Sequence, residues 1–243
     1  MSARVLPTVG FDRFVTLEWM NYALDLALLG QPPEVLRSWL SSQITGPDAI
    51  RKTYNVLSNL WLVPYPRTQQ LRQKGIELAQ QVTLEERFVL HWGMAVANFA
   101  LFRATTQLMG RLIRLQGDFR SQEIISRVLE QYSNANTAGR AVGRIIQSIA
   151  TWGVISSKGG RYSLTTVHEV LNPSLTEWLM EAVLLTHNKQ HQLMVDLLRT
   201  NELFPFDVSN QGAVVLHKSN HFIVSREGLD QEVVRLTNSS SAM

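Results

Sequence analysis

The stretch TAGRAVGRIIQSIATWGVISSKGGRYSLT, residues 137–165, decides the fold that the sequence predicts. Five apolar residues recur along its first half: Val142, Ile145, Ile146, Ile149 and Trp152. This is the spacing of a helix with one buried stripe. Gly153 can end that helix in a left-handed turn. Two short strands around the turn residues 158–161 then predict a β-hairpin, so the stretch has the pattern of the end of a winged helix.

The other side of the predicted helix is polar and cationic. Its candidate DNA-contacting residues are Arg140, Arg144, Gln147 and Thr151, with Lys158 and Arg161 at the hairpin turn. In a major groove arginine pairs with guanine and glutamine with adenine, while cations beside the groove meet phosphates. The alternative interpretation is a solvated helix face and a hairpin tip that charge keeps soluble.

An earlier stretch echoes this pattern. Residues 48–63, DAIRKTYNVLSNLWLV, align with residues 140–155, polar on polar and apolar on apolar. The corresponding candidate contacts are Arg51, Lys52, Asn55 and, beyond the helix, Arg67. Pro64 and Pro66 cannot continue a helix, so residues 61–67 are expected to form a strand and a turn. The alternative is that any two amphipathic helices can be aligned this well.

The remaining pattern predicts a mainly α-helical chain with one or two winged-helix units and a small C-terminal β-hairpin. Helices are expected over 14–29, 34–44, 48–62, 69–82, 121–132, 174–200 and 229–236, with a long helix over 83–115 that breaks near Gly110. A hairpin is expected to join 213–218 to 221–225 around Ser219 and Asn220. The predicted units are 1–82, an N-terminal winged-helix-like unit, 83–170, the long core helix and second winged helix, and 171–237, a C-terminal extension. Residues 238–243 are expected to be disordered.

Composition narrows the function classes. The chain has 243 residues, a formal net charge of +3 and no cysteine, so disulfides and thiolate metal sites are excluded. No apolar region of a secretory signal follows the N-terminus. The most apolar stretch, 88–102, contains His91 and Asn98 and is shorter than the roughly 20 residues that span a bilayer. We therefore expect a cytoplasmic protein that does not bind membranes.

Catalytic and metal-binding motifs are missing from the sequence. It has no Walker loop, no GxGxxG and no GxSxG. His187 and His191 have the spacing of metal ligands on a helix, but the HExxH pattern is absent and no cysteine can serve as a third ligand. We expect no metal, no cofactor and no enzymatic activity, with an enzyme kept as a third alternative that a deep pocket of titratable groups would favour.

The layout resembles BrxA-type proteins of the bacterial BREX phage-defence systems, and more generally winged-helix DNA-binding proteins. The resemblance rests on a helical N-terminal part, on ERFVLHW at 86–92, on the stretch 137–154 with its hairpin, and on LFPF at 203–206. It implies a small, helical, non-enzymatic protein associated with DNA. The expected function is therefore largely sequence-tolerant binding of double-stranded DNA as an accessory protein of a phage-defence or DNA-processing system. The alternative is a structural subunit whose winged helices contact other proteins.

Overall fold

Capping residues and prolines set the beginnings of several helices in the computed structural model, which describes residues 10–63, 65–130, 135–186, 191–228 and 231–237. Thr16 accepts a hydrogen bond from the backbone N–H of Trp19, and Asn172 accepts from Ser174 and Leu175. Both are N-caps that satisfy free N–H groups. Pro33 and Pro47 each occupy a first helical position, where the missing N–H does no harm.

The described residues are mainly helical. The α-helices are α1 (Leu17–Leu28), α2 (Pro33–Gln43), α3 (Pro47–Trp61), α4 (Gln69–Ala79), α5 (Arg87–Asn98), α6 (Ala100–Gln116), α7 (Ser121–Leu129), α8 (Ala135–Thr151), α9 (Pro173–Leu184), α10 (Met194–Leu198) and α11 (Gly212–Lys218). Short 3-10 turns cover Pro66–Thr68 and Asn201–Leu203. No helix in the described ranges is long and apolar enough to cross a membrane.

The strands are short and form three small sheets. They are β1 (Asp118–Phe119), β2 (Ile155–Lys158), β3 (Arg161–Leu164), β4 (His168–Glu169), β5 (Gln192–Leu193), β6 (Phe206–Asp207), β7 (Phe222–Glu227) and β8 (Gln231–Leu236). One antiparallel sheet has the order β1-β3-β2, another has the order β5-β8-β7, and β4 pairs with β6 in parallel. The first sheet follows α6 and flanks α7 and α8 in the chain.

The long helix expected over 83–115 breaks at Phe99 and not at Gly110. Phe99 has φ −120° and ψ 103°, which separates α5 from α6. The side chain of the preceding Asn98 bonds outside the helix. Its Nδ2 donates to the carbonyl oxygen of Asn59, and its Oδ1 accepts from the hydroxyl of Thr68. Gly110 instead lies inside α6, where a Cβ would come 2.0 Å from the carbonyl oxygen of Asn201. The glycine serves close packing, which the sequence pattern did not distinguish from a break.

The C-terminal third differs most from the expectation. The helix expected over 174–200 ends at Leu184, and β5 and α10 follow it. Residues 213–218 belong to helix α11, so the hairpin around Ser219 and Asn220 is wrong. The hairpin is formed instead by β7 and β8, and residues 231–236 are a strand rather than a helix, with Val233 paired to Ser225. The expected disordered tail, 238–243, lies outside the described residues.

The first predicted unit lacks the strand expected after its helix. Helix α3 continues to Trp61, and Pro66 begins a 3-10 turn. Arg72 of α4 donates to the carbonyl oxygen of Trp61, which ties α4 to the end of α3. Among the described residues before Asp118 there is no β-strand. The two prolines therefore mark a helix-to-helix connection and not a hairpin, with Pro64 itself outside the described ranges.

Aromatic rings join the predicted units in one hydrophobic core. Trp152, at the end of α8, contacts the rings of Phe11, Phe88, Trp92 and Phe102 with centroid separations of 6.1–6.4 Å. Buried residues from Phe11 to Val234 belong to the same cluster. The segment before α1 thus packs on α6 and on the end of α8, and this packing positions the polar face described next.

Candidate nucleic-acid interface

Helix α8 has the phase that the sequence predicts. The five apolar residues of its stripe and Ala138 and Ala141 are buried, at 0–7% exposure. The four candidate contact residues, Arg140, Arg144, Gln147 and Thr151, are all exposed. The burial of one side and exposure of the other follow from the 3.6-residue repeat. One face of α8 is therefore free to meet a ligand.

The exposed side chains of α8 are ordered by bonds within the helix. Arg144 Nη1 donates to the Oε1 atom of Gln147 at 3.0 Å, and Arg140 Nε donates to the carbonyl oxygen of Asn136 at 3.2 Å. Thr151 donates back to the carbonyl oxygen of Gln147. In the described part of the chain, neither arginine forms an ion pair with a carboxylate, so both positive charges are uncompensated there.

The β2–β3 hairpin presents one exposed cation and uses the other internally. Gly159 and Gly160 form its turn with φ values of 59° and 76°, the left-handed region that favours glycine. Lys158 beside them is exposed. Arg161 makes two bonds to Asp118, at 2.7 and 2.5 Å, which hold β3 to β1. These bonds lower the pKa of Asp118, so Arg161 is committed to the sheet and Lys158 is the freer cation.

The face of α3 is mixed in charge. Arg51 Nη2 lies 2.6 Å from Asp48 Oδ1, and Lys52 Nζ lies 3.4 Å from Asp48 Oδ2. The hydrogen bond from Arg51 and then the charge of Lys52 hold the pKa of Asp48 below its usual range. Asn55 is exposed on the same helix. The cations that the sequence assigned to the first unit are thus compensated by a carboxylate that the sequence analysis did not consider.

A groove brings the two predicted faces together. It has a volume of about 580 Å³, and the residues lining it are Asp12, Arg13, Asp48, Lys52, Thr137, Arg140, Ala141, Gly143, Arg144 and Gln147. Lys52 from the first face and Arg140, Arg144 and Gln147 from the second therefore share one cavity. Arg51 borders it through its bond to Asp48. The lining carries four cations against two carboxylates.

Arg67 lies apart from this groove. Its Nη2 donates to the carbonyl oxygen of Ala97 at 2.8 Å, near the end of α5. It is not among the residues that line the cavity. The structure thus brings together the candidate contacts of α3 and α8 but leaves Arg67 with a role at a helix end.

The N-terminal segment places Asp12 and Arg13 in the groove, and the sequence analysis missed both of them. The backbone N–H of Val15 donates to Ser148 Oγ at 2.9 Å, and Trp152 Nε1 donates to the carbonyl oxygen of Val15 at 2.8 Å. This pairing lays residues 11–15 along α8 and carries Asp12 and Arg13 into the groove. Ser148 was a usable signal, since a polar residue inside an apolar stripe needs a buried partner.

Metal ligands do not cluster in the described part of the chain. Among the described residues no cluster of three or more His, Asp or Glu side chains could hold a metal ion. His187, one of the two histidines with metal-ligand spacing, lies outside those residues.

No family model matches the chain, and no curated protein or solved structure matches it either.

Proposed function

We propose that the chain is a non-enzymatic protein that binds double-stranded DNA through α8 and the β2–β3 hairpin, largely without regard to base sequence. The observation that carries the proposal is the exposed face of α8, where Arg140 and Arg144 have no acidic partner among the described residues. Cations on such a face neutralise phosphates, and this part of the affinity does not depend on sequence.

The order of elements supports a winged-helix interpretation of residues 100–164. A helix, a strand, two helices and a hairpin follow one another, and the first strand pairs with the last in the order β1-β3-β2. In a helix-turn-helix the second helix is the recognition helix. A winged helix adds a β-hairpin after it, and α7, α8 and the β2–β3 hairpin follow this order. In this proposal α8 is the recognition helix, and Lys158 lies at the wing.

We assign base contacts and phosphate contacts to different residues of this surface. Arg144 and Gln147, which bond to each other, are the pair suited to base edges. Arg140 and Lys158 are suited to phosphates on either side of a groove. Gly143 between the arginines has no heavy atom within 4 Å of where a Cβ would be, so a backbone can approach α8 closely there.

A charge reversal tests the proposal. Arg144→Glu with Lys158→Glu should lower affinity for random duplex at least tenfold, which corresponds to about 1.4 kcal/mol. The matched control reverses Lys218 and Arg235, which are exposed elsewhere, and gives the same change in net charge. Affinity is read by fluorescence anisotropy at low salt, and folding by thermal melting. An Arg144→Glu, Lys158→Glu variant that melts normally and binds like the parent protein would overturn the proposal.

A second candidate is a structural subunit that binds a protein through the same face. The two carboxylates in the groove, Asp12 and Asp48, favour it, because they repel phosphates and can pair with cations of a protein partner. If this second candidate is correct, the parent protein does not bind duplex DNA. Direct binding of duplex that the double reversal abolishes and the control keeps would exclude it.

The wider role that we propose follows the sequence resemblance alone. It is that of a cytoplasmic accessory protein in a BREX-type phage-defence system or another DNA-processing system. Its test is the plating efficiency of phage on a host with and without the protein. Equal plating in both hosts would remove the defence role and leave the binding proposal as it stands.

A further inference from the structure

Three cations converge on the carboxylate of Asp48. Arg13 Nη2 lies 2.8 Å from its Oδ2 atom, Arg51 Nη2 lies 2.6 Å from Oδ1, and Lys52 Nζ lies 3.4 Å from Oδ2. Lys52 is also 3.9 Å from Asp12. Even with both carboxylates counted, positive charge is in excess. The cluster therefore keeps a net positive charge beside its carboxylates.

The Asp48 side chain is the most exposed member of the cluster. It is 60% exposed, whereas the side chains of Arg13 and Lys52 are 27% and 33% exposed and that of Arg51 is 56% exposed. Arg13 and Lys52 are thus the more buried members, and Asp48 and Arg51 lie toward solvent. Arginine bonds to a phosphate with the same forked geometry that it offers a carboxylate. A phosphate is therefore the same kind of partner for Arg13 and Arg51 as the Asp48 carboxylate.

The cluster faces the uncompensated arginines of α8 across one groove. Arg13, Asp48 and Lys52 line one side, and Arg140 and Arg144 line the other. A chain of phosphates that contacts α8 therefore comes close to the cluster as well. The groove volume, about 580 Å³, is in the range of pockets that hold small ligands.

We propose that Arg13, Arg51 and Lys52 form a phosphate-binding site in which Asp48 acts as a built-in competitor. The ligand chemistry is a phosphate anion, and its source is the backbone of the bound duplex. In that respect the inference rests on the proposed function. Asp48 lowers the affinity of the groove for phosphate and keeps the three cations from binding anions indiscriminately.

The test removes the charge of Asp48 and keeps its shape. Asp48→Asn should bind a random 20-base-pair duplex and inorganic tripolyphosphate at least fivefold more tightly, by anisotropy and calorimetry at low salt. Glu85→Gln is the matched control, because Glu85 is exposed, lies outside the groove lining and loses the same charge. Adding Arg13→Gln to Asp48→Asn should abolish the gain.

The outcomes separate this site from the proposed function. Unchanged or weaker binding of both probes by a normally melting Asp48→Asn overturns the site, as does an equal gain in Glu85→Gln. A gain for duplex beyond the control supports the backbone as the source. Tighter tripolyphosphate binding with no duplex binding supports the site with a free polyphosphate as the source, and it overturns the proposed function. Arg13→Gln alone, which leaves Asp48 in place, should weaken duplex binding at least threefold, and an unchanged affinity counts against the site.

Discussion

A buried histidine shows how single polar contacts fix side chains in this core. Trp61 Nε1 donates to Nδ1 of His91 at 3.0 Å, and Nε2 of His91 lies 3.0 Å from Asn21 Oδ1. Because Nδ1 accepts a hydrogen bond, the ring is neutral and carries its proton on Nε2. Burial, together with the charge of Arg87, lowers the pKa of His91 to about 3. Protonation of His91 is therefore unfavourable in the folded protein.

His91 makes the protein sensitive to acid. The unfolded chain binds a proton at His91 below about pH 6.5, whereas the folded chain does not until about pH 3, so stability falls as the pH drops through this window. The slope contributed by His91 approaches about 1.4 kcal/mol per pH unit. His91→Gln should be less stable at pH 7, and its deficit should shrink as the pH falls from 6.5 to 4. Urea denaturation at several pH values measures this, and a constant deficit contradicts it.

Trp152 is the residue whose removal is expected to destabilise the core most visibly. It is 7% exposed, contacts four aromatic rings and donates to the carbonyl oxygen of Val15. Trp152→Ala removes those contacts and leaves that oxygen without its partner. We expect a loss of roughly 3–5 kcal/mol, as for other large aromatic truncations. Urea denaturation measures it, with Thr151→Ala at the exposed neighbouring position as control. A change within error would contradict the burial of Trp152.

Two glycines inside helices have opposite surroundings, one tightly packed and one open. In α6, a Cβ on Gly110 would come 2.0 Å from the carbonyl oxygen of Asn201 and 2.8 Å from Cβ of Phe204. In α8, a Cβ on Gly143 would meet nothing within 4 Å. Gly110 permits close packing of α6 on the Asn201 backbone, whereas a side chain at Gly143 would disturb no contact within the described protein. The sequence shows the same residue in both helices, so it could not separate a packing glycine from a merely permissive one.

The two glycines therefore respond oppositely to the same substitution. Gly110→Ala should destabilise the protein by about 1–3 kcal/mol, because the packed turn must move. Gly143→Ala should stabilise it by about 0.5–1 kcal/mol, because alanine is the better helix former. Thermal melting of both variants gives the comparison. A loss of stability in Gly143→Ala would show that α8 is packed against something on that face.

For the molecule as a whole, the sequence predicted those features that depend on residues close together in the chain. The phase of α8 and the β2–β3 hairpin follow from residues that are neighbours in the chain. The groove could not be predicted, because Arg13 reaches it only through the bond between Val15 and Ser148. The prediction of the C-terminal helices and strands was wrong for another reason. Short apolar runs such as 213–218 fit a helix or a strand, and the packing of Leu216, which is fully buried, decided for the helix.

Salt dependence tests the binding mode of the intact protein. If Arg140 and Lys158 each neutralise one phosphate, the logarithm of the affinity for duplex should fall with a slope of about −2 against the logarithm of salt concentration, and each phosphate held by Arg13, Arg51 and Lys52 should make the slope steeper. Anisotropy titrations over a tenfold range of salt provide the slope. An affinity that is flat over that range would mean that phosphate contacts are not the main source of binding.

The backbone of Val15 has one more consequence, which concerns the order of folding. Its partners, Ser148 and Trp152, lie 133 and 137 residues further along the chain. During synthesis the first segment must therefore wait until α8 has been made, since contacts so distant in sequence form late. A fragment that contains only residues 100–164 would lack Phe11 and Val15 and would leave Trp152 facing water. The DNA-binding unit that we propose is thus not an independent module that could be exchanged between proteins, because it completes its core with the beginning of the chain.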